Sequence, residues 1–164
     1  MAQHVLPEYS GEDLIYTGAL GVVQKLGYDF WHERQPEEER YSREISERVP
    51  EQDGPVAEER REFPDRATAT RQMKEWALAL GADMVGVTRV DPYYVYKDKE
   101  VPHRYAIVMA FAMDYDTIKR VPLQTNQEWL RVYSEGGKTA VDLAKHLRGL
   151  GYPARAHTVR KEEL

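Results

Sequence analysis

The stretch Ala69–Val90, ATRQMKEWALALGADMVGVTRV, changes period halfway along, and that change decides the fold. Ala69, Met73, Trp76, Ala77 and Leu80 recur at helical spacing, so the first half reads as an amphipathic helix. Gly81 stands at the C′ position, where a chain leaves a helix through the left-handed region. Met84–Val90 then reads as a strand, ended by Asp91-Pro92. Downstream, Tyr93, Tyr94 and Tyr96 fall in a loop, and Arg104–Met113 (RYAIVMAFAM) is a near-continuous apolar run, as expected of a strand buried on both faces. Asp114–Trp129 reads mostly as loop. Ser134 is placed to cap a further helix, with Glu135 at its positive end, a buried face of Ala140, Leu143, Ala144, Leu147 and Leu150, and Gly151 as its stop. Ala154–Val159 reads as a last strand.

Upstream, Ser10 and Asp13 have capping-box spacing before a predicted helix over Gly11–Leu26, which Gly27 ends. The three sequences KLGYDF, ALGADM and GLGYPA use one helix-ending chemistry three times. Between Glu33 and Asp65 the apolar pattern lapses. Pro36, Pro50, Pro55 and Pro64 interrupt it, and only a short exposed helix over Tyr41–Val49 is predicted, disorder being the alternative. The organisation predicted is therefore an N-terminal helical segment (1–32), a charged linker or surface excursion (33–64) and a domain over 65–164. The domain is expected to be α+β, with helices packed on a small mixed sheet. Three strands leave open edges, so a continuation or another chain is expected to complete the sheet.

Charge and composition exclude several classes. The 164 residues carry a net charge of −5 and no basic block, which argues against a nucleic-acid partner. The mean hydropathy of −0.69 is low, and no apolar run approaches the ~20 residues of a membrane span. The N-terminus MAQHVLPEYSGED has no export pattern, so a cytoplasmic location is expected. There is no cysteine, which rules out disulfides, thiolate zinc sites and ordinary iron–sulfur ligation within this chain.

The common motifs of chemistry are absent. There is no phosphate loop, no Gly-x-Gly-x-x-Gly and no His-Glu-x-x-His, and His4, His32, His103, His146 and His157 lack ligand spacing. His146 is placed on the polar face of its helix. Asp114 and Asp116 flank Tyr115 and read first as a turn that keeps acids solvated.

Two stretches carry a family likeness. One is Lys74–Val87 with Asp91-Pro92 and Tyr96. The other runs from Tyr105–Ala110 and Met113–Asp116 through Tyr133, Ala140, Leu143-Ala144 and Leu147-Arg148 to Leu150–Ala154. Over roughly residues 65–157 this ordered set resembles the reductive dehalogenases and their relative epoxyqueuosine reductase. The resemblance implies part of a nitroreductase-like layer built around cobalamin. In that family electrons reach the cobalt from iron–sulfur clusters further along the chain. The cysteine-free sequence holds no such cluster, so a cluster-bearing protein partner, or a continuation of the chain, is implied.

The resemblance also assigns residues. Tyr133 matches the tyrosine that protonates the developing carbanion, a role open to a phenol, whose reference pKa is near ~10. Packing at a helix entry is its plain alternative. Tyr96, Met113, Asp114, Tyr115, Tyr133, Tyr152 and His157 are the expected cofactor-binding set, and no residue is assigned to a metal. Val159 stands where the family often has a polar residue, and Gly136-Gly137 stand where bulkier residues are expected.

The function expected is thus a corrinoid-binding fragment or subunit of a reductive-dehalogenase-like oxidoreductase acting on a small organic, optionally halogenated, substrate. The alternative is a non-catalytic module that dimerises through an open sheet edge. A remnant without a pocket, and a flavin enzyme of nitroreductase type, are weaker readings.

Overall fold

In the computed structural model, residues 36–158 are described, except 96, 98–99 and 120–122, and the side chains of 123–126 are not described. The predicted Gly11–Leu26 helix and Tyr96 lie outside the described residues. The described elements are α1 (Pro36–Glu47), α2 (Arg66–Ala79), β1 (Met84–Arg89), β2 (Tyr105–Ala110), α3 (Tyr115–Ile118) and α4 (Leu123–Gly149), with 3₁₀ turns at Val49–Glu51 and Pro92–Tyr94.

Asp65 starts α2. Its Oδ1 accepts from the Thr68 amide at 2.7 Å and its Oδ2 from the Thr68 hydroxyl at 2.9 Å. The helix ends in a Schellman motif, with Gly81 N–H donating to Leu78 O at 3.0 Å and Ala82 N–H to Ala77 O at 3.1 Å. Gly81 has φ +111°, as that exit requires. The end of α4 repeats the motif, with Gly151 N–H on Arg148 O at 3.0 Å and Tyr152 N–H on Leu147 O at 3.0 Å. Two of the three Leu-Gly sequences are therefore the same helix stop, as predicted.

The fold is α+β, and its sheet is smaller than predicted. β1 and β2 form a two-stranded antiparallel ladder, with Met84 opposite Ala110 and Arg89 opposite Tyr105. The described residues of the expected third strand, 154–158, do not join it. Ala156 N–H instead donates to Gln52 O at 2.9 Å, which anchors the segment beside α4. Nor is β2 buried on both faces. Val85, Val87 and Ile107 lie half-buried on one face, toward α2, while Met84 and Val108 lie 68% and 56% exposed on the other.

The largest departure is α4. Where the sequence predicts a loop and a cap at Ser134, the helix already runs from Leu123. Ser134 is interior and buried. Its hydroxyl donates to Glu44 Oε2 at 2.6 Å and accepts from Arg48 at 3.1 Å, tying α1 to α4. Gly136 is also interior, because an added Cβ would sit 3.3 Å from the Phe111 ring. His146 packs its ring edge-on to Trp76 at 4.3 Å rather than standing on a purely polar face.

Residues 36–64 hold α1, which buries Ile45, and then a strap along the end of α4. The strap amides of Ala57 and Arg61 donate to Arg148 O and Leu150 O at 2.9 and 3.0 Å, satisfying carbonyls that a helix end leaves unpaired. Arg148, itself buried, returns donors to Gln52 O, Glu51 O and Ala154 O at 3.3, 3.2 and 2.8 Å. Gly151 lets the strap pass. A Cβ there would lie 2.5 Å from Glu59 O. The small core is centred on Val141, Ala144 and Ala156.

Candidate functional site

Helical arithmetic on α4 decides which predicted site residues meet. Trp129, Tyr133, Gly136, Gly137 and Ala140 share one face. At Gly136 that face meets the Phe111 ring, and at Gly137 it meets the Thr158 side chain, 3.8 Å from where a Cβ would stand. Two segments of the predicted cofactor-binding set, the one after β2 and the one ending at His157-Thr158, therefore reach α4 within about one turn of Tyr133. Tyr133 is half-buried and packs edge-on against Trp129, ring centroids 4.6 Å apart.

A carboxylate clamp sets the segment after β2. Glu128 is only 5% exposed. Its Oε1 accepts from the Asp114 amide and from Arg131, both at 2.6 Å, and its Oε2 accepts from Arg131 Nε at 2.7 Å. Arg131 also donates to Glu135 Oε2 at 2.5 Å. The paired guanidinium holds the Glu128 carboxyl below the usual carboxylate range against the burial that raises it, and the same pairing drives Arg131 further upward. Asp114 in turn caps α3, its Oδ1 accepting from Thr117 N and Oγ1 at 2.7 and 2.6 Å. The Asp114-Tyr115-Asp116 stretch is thus a helix start, with Asp116 ion-paired to Lys119.

The structure brings together Met113, Asp114, Tyr133 and the His157-Thr158 segment along α4. Tyr115 stands 77% exposed, with Lys119 over its ring at 5.4 Å. Tyr152 is not brought to this cluster. Its hydroxyl donates to Arg61 O at 2.7 Å and its ring packs near Phe63, at the far end of α4. At 1.5 Å per residue that end lies roughly 24 Å from Tyr133 along the helix.

Trp129, Glu128 and Arg131 were not singled out by sequence reasoning. The Glu128, Arg131 and Glu135 spacing, i, i+3 and i+7, was the available signal, since it fits ion pairing along one helix.

Do these residues fit a corrinoid? The two glycines of that face seat the Phe111 ring and Thr158, so the surface that suits one side of a broad, largely apolar macrocycle is the exposed border beside them, Trp129, half-buried Tyr133 and Met113. Among the described residues, no group of three or more His, Asp or Glu is placed to hold a bare metal ion. No described helix is long and apolar enough to cross a membrane.

No protein-family model and no curated protein matches the sequence. Solved structures do match. A catabolic reductive dehalogenase, NpRdhA, is 27% identical with a TM-score of 0.68, covering 76% of this chain and 20% of its own. The same enzyme in complex with 3-bromo-4-hydroxybenzoic acid is 25% identical with a TM-score of 0.72, covering 85% and 22%. A reductive dehalogenase studied for B12-dependent dehalogenation is 28% identical with a TM-score of 0.65, covering 73% and 19%. The chain thus spans about a fifth of the length of these neighbours, and over that span it carries a partial α+β fold that it shares with reductive dehalogenases.

Proposed function

We propose that this chain is a corrinoid-binding part of a reductive-dehalogenase-like oxidoreductase, with electrons supplied by a cluster-bearing partner or by further polypeptide. The observation that carries the reading is the convergence on α4. The segments bearing Phe111–Asp114 and His157-Thr158 both pack on the Gly136-Gly137 face, one turn from Tyr133. The likeness to reductive dehalogenases over most of the chain supports it. A bound corrinoid would supply strongly reducing cobalt chemistry.

What this chain's own residues do is narrower. Gly136 and Gly137 let Phe111 and Thr158 close in on the helix, and Trp129 and Met113 offer exposed apolar surface beside Tyr133. The Glu128–Arg131 clamp fixes the Met113-Asp114 segment against α4. The Tyr133 hydroxyl donates a proton to a developing carbanion of a small organic substrate, and halogenated phenolic acids are the first to test.

The test is absorbance. The purified chain, mixed with hydroxocobalamin and desalted, should retain a cobalt-dependent visible spectrum. A colourless protein fraction refutes the reading.

One observation favours a second reading. Met84 and Val108 stand exposed on the outer sheet face, and Gly86, directly opposite Val108, has no neighbour within 4 Å of an added Cβ. A non-catalytic module that pairs through this sheet would present such a surface. It predicts a dimer in solution with no affinity for corrinoids.

A further inference from the structure

A hydroxyl that is to hand over a proton must point one way, and Tyr133 has no hydrogen bond to hold it there. Among the described residues none bonds its O–H, and the oxygen is not sealed from solvent. A buried phenol ordinarily finds such a partner, and the bond then fixes the ring. Here the helix backbone alone narrows the choice. Inside an α-helix an aromatic side chain takes one of two χ1 rotamers, which send the hydroxyl in different directions.

Trp129 is placed to select between them. It stands one turn earlier on α4, at the position toward which a helical side chain leans. The two rings pack edge-on, centroids 4.6 Å and planes 82° apart, and among the described residues no other ring packs on Tyr133. The turn that carries the indole is itself held. Glu128, next to it in sequence, is buried and accepts from the Asp114 amide at 2.6 Å and from Arg131 at 2.6 and 2.7 Å. Nor does the core need this indole. Trp129 is 40% exposed, and the core is centred on Val141, Ala144 and Ala156. An edge-on aromatic pair favours the arrangement that makes it by roughly two- to tenfold, enough to decide between two rotamers.

We propose that Trp129 is a positioning residue, which holds the Tyr133 phenol in one rotamer and so aims its free O–H at the substrate. The aim at a substrate rests on the proton-donor reading of Tyr133 given above, whereas the choice of rotamer does not.

The experiment has two arms. The first needs no cofactor. Three-bond NMR couplings from the backbone nitrogen and carbonyl carbon to the Tyr133 Cγ give its χ1 populations in the whole chain. Wild type should show one dominant rotamer. Trp129→Leu should move the populations toward the other by roughly two- to tenfold, and Trp129→Phe, which keeps a ring, should restore most of the preference. The second arm uses chains loaded with hydroxocobalamin and given a reductant and a halogenated phenolic acid. Trp129→Leu should keep the corrinoid and the KM and lose kcat by a similar factor, with recovery in Trp129→Phe. Mixed rotamers in wild type, which no variant is needed to see, or the wild-type rotamer in Trp129→Leu would overturn this inference whatever the second arm gives. Shifted rotamers with an unchanged kcat would remove Trp129 from positioning alone. A wild type that retains no corrinoid would sink the function proposed above, and with it the aim at a substrate, even where the first arm shows the single rotamer.

Discussion

Replacing Gly151 by alanine tests the strap most severely. Two costs add there. Gly151 has φ +81°, where an L-residue loses about 1–2 kcal/mol. Its new Cβ would also lie 2.5 Å from Glu59 O and 2.7 Å from Arg60 Cα. Those are backbone atoms, so relief requires the strap to lift. Lifting strains the bonds from Ala57 N to Arg148 O, from Arg61 N to Leu150 O and from Tyr152 Oη to Arg61 O. At about 0.5–1.5 kcal/mol each, their loss brings the total to about 2.5–6.5 kcal/mol. Gly81→Ala is the control. It has φ +111° but only Thr139 Oγ1 nearby, at 3.9 Å, so it should cost about 1–2 kcal/mol. Urea unfolding of the two variants gives the difference. Hydrogen exchange should show the Ala57 and Arg61 amides losing protection in Gly151→Ala alone. Equal destabilisation by the two variants, with those amides still protected, would refute the account of the strap.

Other predictions concern α4. Glu128→Gln should cost about 1–3 kcal/mol at pH 7, because it removes a charge from the Arg131 and Asp114 clamp. Since the Glu128 carboxyl is depressed in the folded chain, its contribution is present above the unfolded value of about 4.3 and is lost as pH falls through the folded value. The stability gap between wild type and variant should therefore close below about pH 4, and a gap constant with pH would contradict the clamp. Gly137→Ala should stabilise the chain by about 0.5–1 kcal/mol, while Gly136→Ala should gain less or lose, its Cβ pressing on Phe111 at 3.3 Å. Thermal unfolding of the pair checks this. Tyr133→Phe should leave corrinoid retention intact and abolish proton delivery to a halogenated test substrate once a reductant is supplied. Unchanged turnover would remove Tyr133 from the mechanism. Met84→Lys with Val108→Lys should split any dimer seen by sedimentation if the exposed sheet face is the contact.

What could be read from the sequence was what local chemistry decides. Gly81 and Gly151 end their helices in left-handed turns, because neighbours within a few residues set those conformations. Where distant groups decide, the reading failed. Ser134 beside Glu135 resembles a cap, but its hydroxyl is claimed by Glu44 and Arg48, some ninety positions away in sequence. Gly136-Gly137 looked like a weak helix opening, and only the Phe111 ring explains the first of them inside α4. Residues 154–158 had a strand's alternation, yet pairing depends on which N–H finds a free carbonyl, and Ala156 finds Gln52. Of the candidate site, the sequence pointed to Tyr133 and to the segments at Met113-Asp114 and His157, whose roles remain part of the proposal. Glu128 was not legible, since it acts through a contact outside its own local pattern.

Trp129 gives the most direct measure of the central proposal. It packs edge-on against Tyr133, and Trp31 and Trp76 are the other tryptophans of the chain. In a Trp31→Phe, Trp76→Phe variant all tryptophan emission comes from Trp129. Hydroxocobalamin, which absorbs across that emission band, should quench it saturably with a single-site isotherm. Quenching that only follows the linear inner-filter effect of added cobalamin would contradict a corrinoid site on this face of α4.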